Sequence, residues 1–289
     1  MIELREAGVT VPAGEHDAVI LQPTTLTLTE HRISIIGGNG SGKSTLARLC
    51  NGLIEPTTGS VMVSAGSGDG SHPGDNTPRD GDTHDNRTHA GETSRADAPL
   101  DTTRHGAAAR RLVGFVFSDP SAQLIMPTVL EDVALSLRRE HPKKADRLEA
   151  ARAVLERFGI ADLADRSVHT LSGGQRQLLA FAAVLASDPA ILVADEPTTL
   201  LDLRNARMIN DLLLSLPQQV LVITHDLELA ARADRTLVVD DAQVIFDGPP
   251  AEAIAFYREL SARGSNNIGG EDRQAQPGTT PQGEIGPST

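Results

Sequence analysis

The sequence predicts an α/β fold built around a mostly parallel central sheet, and three observations predict it. From Leu112 onward, apolar strand-like segments alternate with segments whose apolar residues recur at helical spacing. The strand Arg32-Ile36 runs straight into a glycine-rich loop and then into a helix opening near Lys43. A second apolar strand, Ala190-Ala194, is followed by two adjacent carboxylates, Asp195 and Glu196, and open α/β sheets place their chemistry beyond the carboxyl ends of parallel strands.

In chain order, short β-rich segments come first: Ile2-Leu4, Ala18-Leu21, Leu26-Leu28 and Arg32-Ile36, with Ser60-Val63 after the turn at Glu55-Gly59. The character then changes. From Ser64 to Ala109 there is no Val, Ile, Met, Phe or Tyr, and Leu100 is the one large apolar residue. Such a stretch buries too little surface to offset its chain entropy, so residues 64–109 are predicted to be a disordered insertion in a surface loop. Its histidines, His72, His84, His89 and His105, are too widely spaced for a compact metal-ligand set. Order resumes with a strand at Leu112-Val116, helices at Thr128-Arg139, Asp146-Phe158, Gly173-Ala186 and Asp202-Leu216, and a strand at Val220-Thr224. A helix at Leu227-Ala233, strands at Thr236-Val239 and Val244-Phe246, and a helix at Pro250-Arg263 complete the pattern. Residues 264–289 are rich in Gly, Pro, Gln and Thr and are predicted to be a disordered tail. The reading is one domain over residues 1–263, interrupted by 64–109, with no internal repeat.

Composition excludes several function classes. Aromatics are 2% of the chain, which leaves no stacking platform for single-stranded nucleic acid, and a formal net charge of −13 is the opposite of a nucleic-acid footprint. No nucleic-acid partner is expected. The same charge gives no general attraction to anionic lipid, so membrane contact is expected to run through protein partners. Cys50 is the one cysteine, which rules out an intrachain disulfide and reads as a small buried residue on a helix. The first residues lack the pattern of a signal peptide, and the longest nearly apolar run, Leu178 to Ala186, is about half of what a membrane-spanning helix needs.

Three motifs carry chemistry. Gly37-Gly38-Asn39-Gly40-Ser41-Gly42-Lys43-Ser44-Thr45 fits G-x-x-x-x-G-K-[ST] in its strand–loop–helix setting. Glycines let successive N–H groups point into one concavity at a helix start, Lys43 can reach the β- and γ-phosphates, and the Ser44 hydroxyl can bind Mg²⁺. Asp195 can hold the same Mg²⁺ through oxygen, and Glu196 can orient or deprotonate an attacking water. Leu171-Ser172-Gly173-Gly174-Gln175 opens a further helix with a serine cap and two glycines, a second anion-friendly helix start.

The string Leu171-Ser172-Gly173-Gly174-Gln175-Arg176-Gln177 closely resembles the signature motif of ATP-binding cassette (ABC) proteins. Thr199-Leu200-Leu201-Asp202 resembles the D-loop of that family, with Asp202 at its end, and His225 in Val222-Ile223-Thr224-His225-Asp226 resembles its switch histidine. The resemblance covers roughly residues 1–63 and 110–263. It implies a P-loop NTPase cassette with an antiparallel N-terminal β part and an α-helical signature subdomain. It also implies ATP and Mg²⁺ as ligands, ATP hydrolysis, and a dimer in which ATP lies between one phosphate loop and the partner's signature segment.

Two departures from the family pattern stand out. Where such cassettes end the strand before this segment with a glutamine, this chain has Ser118, with Gln123 five residues on as a weaker candidate. Where they carry an aromatic against adenine, Val9 to His16 has none, leaving His16 or the Val11-Pro12 surface. The segment Asp119 to Ala134 resembles the ATPases of energy-coupling-factor (ECF) importers. These pair cassettes with a transmembrane coupling protein and a small substrate-binding membrane protein. The residues around the phosphate loop, His31 to Leu53, look most like biotin-importer cassettes, with cobalt and nickel importer cassettes close by. The resemblance implies a peripheral protein on the cytoplasmic face of the membrane. The alternatives are another vitamin or metal importer, or a non-transport cassette of the iron–sulfur assembly type.

Overall fold

The computed structural model describes residues 1–14, 16–65 and 98–268, with the side chains of the last five helical residues left aside. Its centre is a six-stranded sheet in the order β10-β9-β3-β8-β7-β6. Strands β3 (Arg32–Gly37), β6 (Val113–Val116), β7 (Ile191–Asp195), β8 (Gln219–Ile223) and β9 (Arg235–Asp240) pair in parallel. Only β10 (Gln243–Gly248), joined to β9 by a tight turn, runs antiparallel. The mostly parallel sheet read from the sequence is therefore present.

Alternation along β7 shows why these residues form a buried strand. Ile191 and Val193 enter the core shared with α1 (Lys43–Asn51), while Leu192 and Ala194 enter the core shared with α6 (Leu203–Ser215). All four are at most 1% exposed, as expected of a parallel strand covered on both faces. Cys50 lies fully buried on α1, and burial pushes its thiol up to about 12, in keeping with an inert core role.

A second, antiparallel sheet has the order β2-β1-β4-β5 and closes over the other side of α1. Its strands are β1 (Ile2–Ala13), β2 (His16–Leu28), β4 (Thr58–Val63) and β5 (Leu100–Asp101). The two predicted segments around Ala18 and Leu26 are one strand, because irregular pairing between Leu4 and Thr10 of β1 lets β2 continue through Pro23.

The insertion boundaries need correction. Residues 100–101 form β5, and α2 (Gly106–Leu112) follows, so the last part of the predicted disordered stretch is ordered and the predicted strand from Leu112 starts at Val113. The physical reason is local: Leu100 pairs with Val63, Thr102 is 2% exposed, and Ala109 is fully buried in the main core. His105 sits just before α2, while His72, His84 and His89 lie outside the described residues. At the other end, α8 (Pro250–Ile268) continues five residues into the predicted tail; the remainder of the tail lies outside the described residues.

Three helices, α3 (Val129–Ser136), α4 (Lys144–Arg157) and α5 (Gly173–Leu185), build a subdomain with its own core around Val133, Leu155 and Leu179. Asp132 anchors its entry. One carboxylate oxygen accepts from the N–H groups of Ile125 and Met126 at 2.9 Å each, while burial raises its pKa against those bonds. A short helix, α7 (Leu227–Ala230), follows β8, and α7 and α8 cover the opposite edge around Ile36 and Val238.

Candidate functional site

The phosphate loop takes its shape from backbone demands that only glycine meets. Gly37, Gly40 and Gly42 have φ of 154°, 76° and 105°. A Cβ on Gly37 would fall 2.0 Å from the carbonyl oxygen of Val239, and one on Gly42 would fall 2.9 Å from that of Ile20. No side chain caps α1, so the N–H groups of its first turn remain available to an anion. Lys43 folds over the loop, donating from Nζ to the carbonyls of Gly37 at 3.0 Å and Gly38 at 2.6 Å. Burial lowers its pKa, and the carboxylates of Glu196 and Asp195 oppose that shift.

Ile20, Asn39, Gly40, Ser41, Gly42, Lys43, Ser44, Thr45 and Glu196 line a cavity of about 340 Å³. Beside Lys43, the Ser44 hydroxyl donates to Oδ1 of Asp195 at 2.9 Å, and Arg48 lies 3.8 Å from the other oxygen. Burial raises the pKa of Asp195, while Ser44 and Arg48 oppose the shift. A serine hydroxyl and a carboxylate in contact are hard oxygen donors suited to Mg²⁺. Among the described residues no three His, Cys, Asp or Glu side chains gather into a metal cluster, so nucleotide phosphates and water would supply the other ligands.

Glu196 follows β7 directly, yet leaves the strand through a left-handed backbone, φ 48°, with its N–H bonded to the Ile223 carbonyl at 3.0 Å. Its carboxylate is held on both oxygens. Nε2 of His225 is 2.7 Å from Oε1, and the Thr199 hydroxyl donates to Oε2 at 3.1 Å. The structure thus gathers the phosphate loop, Asp195, Glu196 and His225 at the carboxyl ends of β3, β7 and β8.

The signature residues stand apart from that cavity. Ser172 opens α5 with a capping box: its hydroxyl accepts from Gln175 N–H at 3.3 Å, and Gln175 Oε1 accepts from Ser172 N–H at 3.0 Å. Leu171 is buried in the helical subdomain. The side chain of Asn205 occupies the space over Gly174 and bonds Asp202, which caps α6 through the Asn205 N–H at 2.8 Å. Gly173 borders a recess of about 80 Å³ with Asp119, Ser121, Gln177 and Leu201.

Ser118 and Gln123 are not among the residues lining the phosphate-loop cavity. A 3-10 turn at Pro120–Ala122, capped by Asp119, does bend the chain back, and Gln123 Oε1 accepts from Phe117 N–H at 3.4 Å. That bond engages the end of β6. On the nucleotide side, Ile20 of β2 supplies the cavity wall, where Val11, Pro12 and His16 are the sequence candidates. Ile20, Arg48 and Asn205 escape motif reading, and Thr199, although part of the D-loop-like string, takes no assigned role from it. Ile20 could have been found from its place on the strand that crosses over Gly42; Arg48 and Asn205 carry no signal beyond proximity to a motif.

Residues 21–199 match the family profile described as ABC transporter. The chain belongs to the ABC transporter family. As an ABC cassette it is an ATPase of transport type. It is 41% identical to the biotin transport ATP-binding protein BioM of Rhizobium etli over 261 residues, covering 90% of this chain and 99% of that one. It is 33% identical to the energy-coupling factor transporter ATP-binding protein EcfA1 of Lactiplantibacillus plantarum, covering 91% and 84%. Among solved structures, the dimeric post-hydrolysis state of the ATP-binding cassette MJ0796 bound to ADP and Pi superposes with a TM-score of 0.66 at 27% identity, covering 86% and 99%. Among the described residues of this ABC cassette, no helix is long and apolar enough to cross a membrane.

Proposed function

We propose that this cassette binds ATP with Mg²⁺, hydrolyses it, and thereby drives an ECF-type importer whose cargo is biotin. The observation that carries the ATPase reading is the meeting of Lys43, Ser44 and Glu196 around one cavity, with Asp195 bonded to Ser44 and Glu196 held by His225. The similarity to BioM over nearly the full length of both chains supports the cargo. The cassette acts from the cytoplasmic face of the membrane, held there by a transmembrane coupling protein and a small substrate-binding membrane protein.

In this reading the loop N–H groups and the start of α1 neutralise the β- and γ-phosphates, and Lys43 swings from its contacts with Gly37 and Gly38 to reach them. Ser44 and Asp195 would hold Mg²⁺, which would supply neutralisation of phosphate charge. Glu196 orients and accepts a proton from the attacking water, and His225 holds one oxygen of that carboxylate. The Ser172–Gly174 segment of a second cassette closes the site from outside. Its capped but side-chain-poor helix start is suited to an anion.

The test is purification of the full chain from its native membrane, followed by identification of bound small molecules. Two membrane proteins carrying biotin are expected, together with ATP-dependent biotin uptake that Glu196→Gln abolishes. Cobalt or nickel in place of biotin would overturn the cargo, and absence of membrane proteins would overturn the importer reading.

A further inference from the structure

Thr199 lies three residues past Glu196, on the loop that leads to Asp202. It does not line the nucleotide cavity, and its side chain is exposed. Its hydroxyl nevertheless donates to Oε2 of Glu196 at 3.1 Å, the oxygen that His225 leaves free. The loop is folded so as to allow this contact: the Thr199 N–H bonds the Glu196 carbonyl at 3.3 Å, and the Leu201 N–H bonds the Thr198 carbonyl at 3.1 Å. Two tight turns thus return the Thr199 side chain to the carboxylate.

A glutamate side chain ends in a soft torsion, so a single contact to one oxygen leaves the carboxylate free to rotate about its last bond. His225 alone gives one such contact. A second donor on the other oxygen fixes the plane of the group. The lone pairs that neither donor uses then keep a constant direction, which a base acting on one water molecule requires. Glu196 starts from an uncommon backbone, φ 48°, with its N–H tied to β8. Main chain and both oxygens are therefore anchored, the first oxygen and the N–H to the end of β8 and the second oxygen to the Thr199 loop.

We propose that Thr199 is a positioning residue for hydrolysis: its hydroxyl sets the orientation of the Glu196 carboxylate and ties that orientation to the conformation of the loop ending at Asp202. The inference rests on the reading of Glu196 as the base. Thr199 itself does not line the nucleotide cavity and its hydroxyl bonds Glu196, so its contribution falls on turnover and not on nucleotide affinity. Asp202 in turn bonds Asn205, which packs over Gly174 of the signature segment. Displacement of that segment therefore has a short covalent and hydrogen-bonded route to the base.

Steady-state ATPase assays of the full chain test this with Thr199→Val, which keeps the shape and removes the donor, and Thr199→Ser, which keeps the donor. Loss of a hydrogen bond to a charged group on an exposed loop predicts a fall in kcat of about 3- to 30-fold for Thr199→Val. KM for ATP should stay within about twofold, and Thr199→Ser should recover most of the rate. In a Glu196→Gln background, Thr199→Val should add little further loss, because the two act as one unit. An unchanged kcat in Thr199→Val, a KM effect of equal size, or failure of serine to restore the rate overturns the proposal. Wild-type-like hydrolysis by Glu196→Gln alone would instead remove the base on which it rests, so the two failures are distinguishable.

Discussion

Nε2 of His225 lies 2.7 Å from Oε1 of Glu196, and this contact joins the residues that follow two neighbouring parallel strands, β8 and β7. Glu196→Gln should lower kcat by about 10²-fold or more while nucleotide binding survives, because Lys43, Ser44 and the loop are untouched. Single-turnover hydrolysis together with equilibrium ATP binding checks it. Near-normal turnover would take Glu196 out of its role.

The Ser44 hydroxyl and Asp195 Oδ1 lie 2.9 Å apart and are the protein ligands proposed for Mg²⁺. Ser44→Ala should raise the Mg²⁺ concentration needed for half-maximal ATPase activity by roughly 10-fold, since one ligand of a weakly chelated ion is lost. A Mg²⁺ titration unchanged from wild type would place the ion elsewhere.

Gly174 has no room for a side chain: a Cβ there would come within 2.6 Å of Asn205. Gly174→Ala should push Asn205 from Asp202 and reduce ATPase activity by about tenfold, and Asn205→Ala in the same chain should return part of it. Additive losses in the double variant would argue that the signature segment suffers directly and not through Asn205.

The nucleotide cavity has Ile20 as its apolar wall and no aromatic ring among its lining residues. Stacking selectivity should therefore be weak, and kcat/KM for ATP and GTP should agree within about fivefold. A preference for ATP of about 100-fold or more would contradict this.

Val63 and Leu100 are paired neighbours across β4 and β5. Removing residues 66–97 leaves four residues, Ser64, Ala65, Ala98 and Pro99, to connect that pair, which suffices for a hairpin. Such a chain should keep its ATPase activity. Extending the deletion through Ala109 removes buried Thr102 and Ala109 and should lower the melting temperature by roughly 5 °C or more. Differential scanning fluorimetry of the two deletions decides the point, and equal melting temperatures would refute it.

The parallel strands were legible because β3, β7 and β8 are apolar runs that must be covered on both faces, and because glycines and acids interrupt them where chemistry begins. Helix α5 was legible from its serine cap, and its start at Gly173 agrees with the reading. By contrast, β5 and α2 were hidden: they are held by a two-residue strand, one threonine and an alanine, and Leu100 alone among them registers as large apolar content. Within the site, each motif residue was readable because phosphate and metal chemistry restrict the residue type. Arg48 and Asn205 were not, and neither was the bond from Thr199 to Glu196, since an arginine, an asparagine or a threonine acquires such a contact only through approach in space. Gln123 marks the boundary between the two cases. Its return towards β6 is a real contact, yet it ends on the Phe117 amide, an outcome that no spacing argument could supply.

The first bond beyond the β7–β8 ladder runs from Glu196 N–H to Ile223, and Thr224 bonds Ile35 in the same way on the other side of β8. Asp195, Glu196 and His225 therefore project at, or within two residues of, the last rungs of two adjacent strands, β7 and β8. Their mutual distances inherit the alignment of strands whose interiors lie on the far side of the cavity floor. Damaging substitutions should accordingly reach well below the nucleotide: enlarging a side chain such as Ala194, or trimming Ile35, would tilt one strand against the next and separate acid from imidazole while every motif residue remained in place.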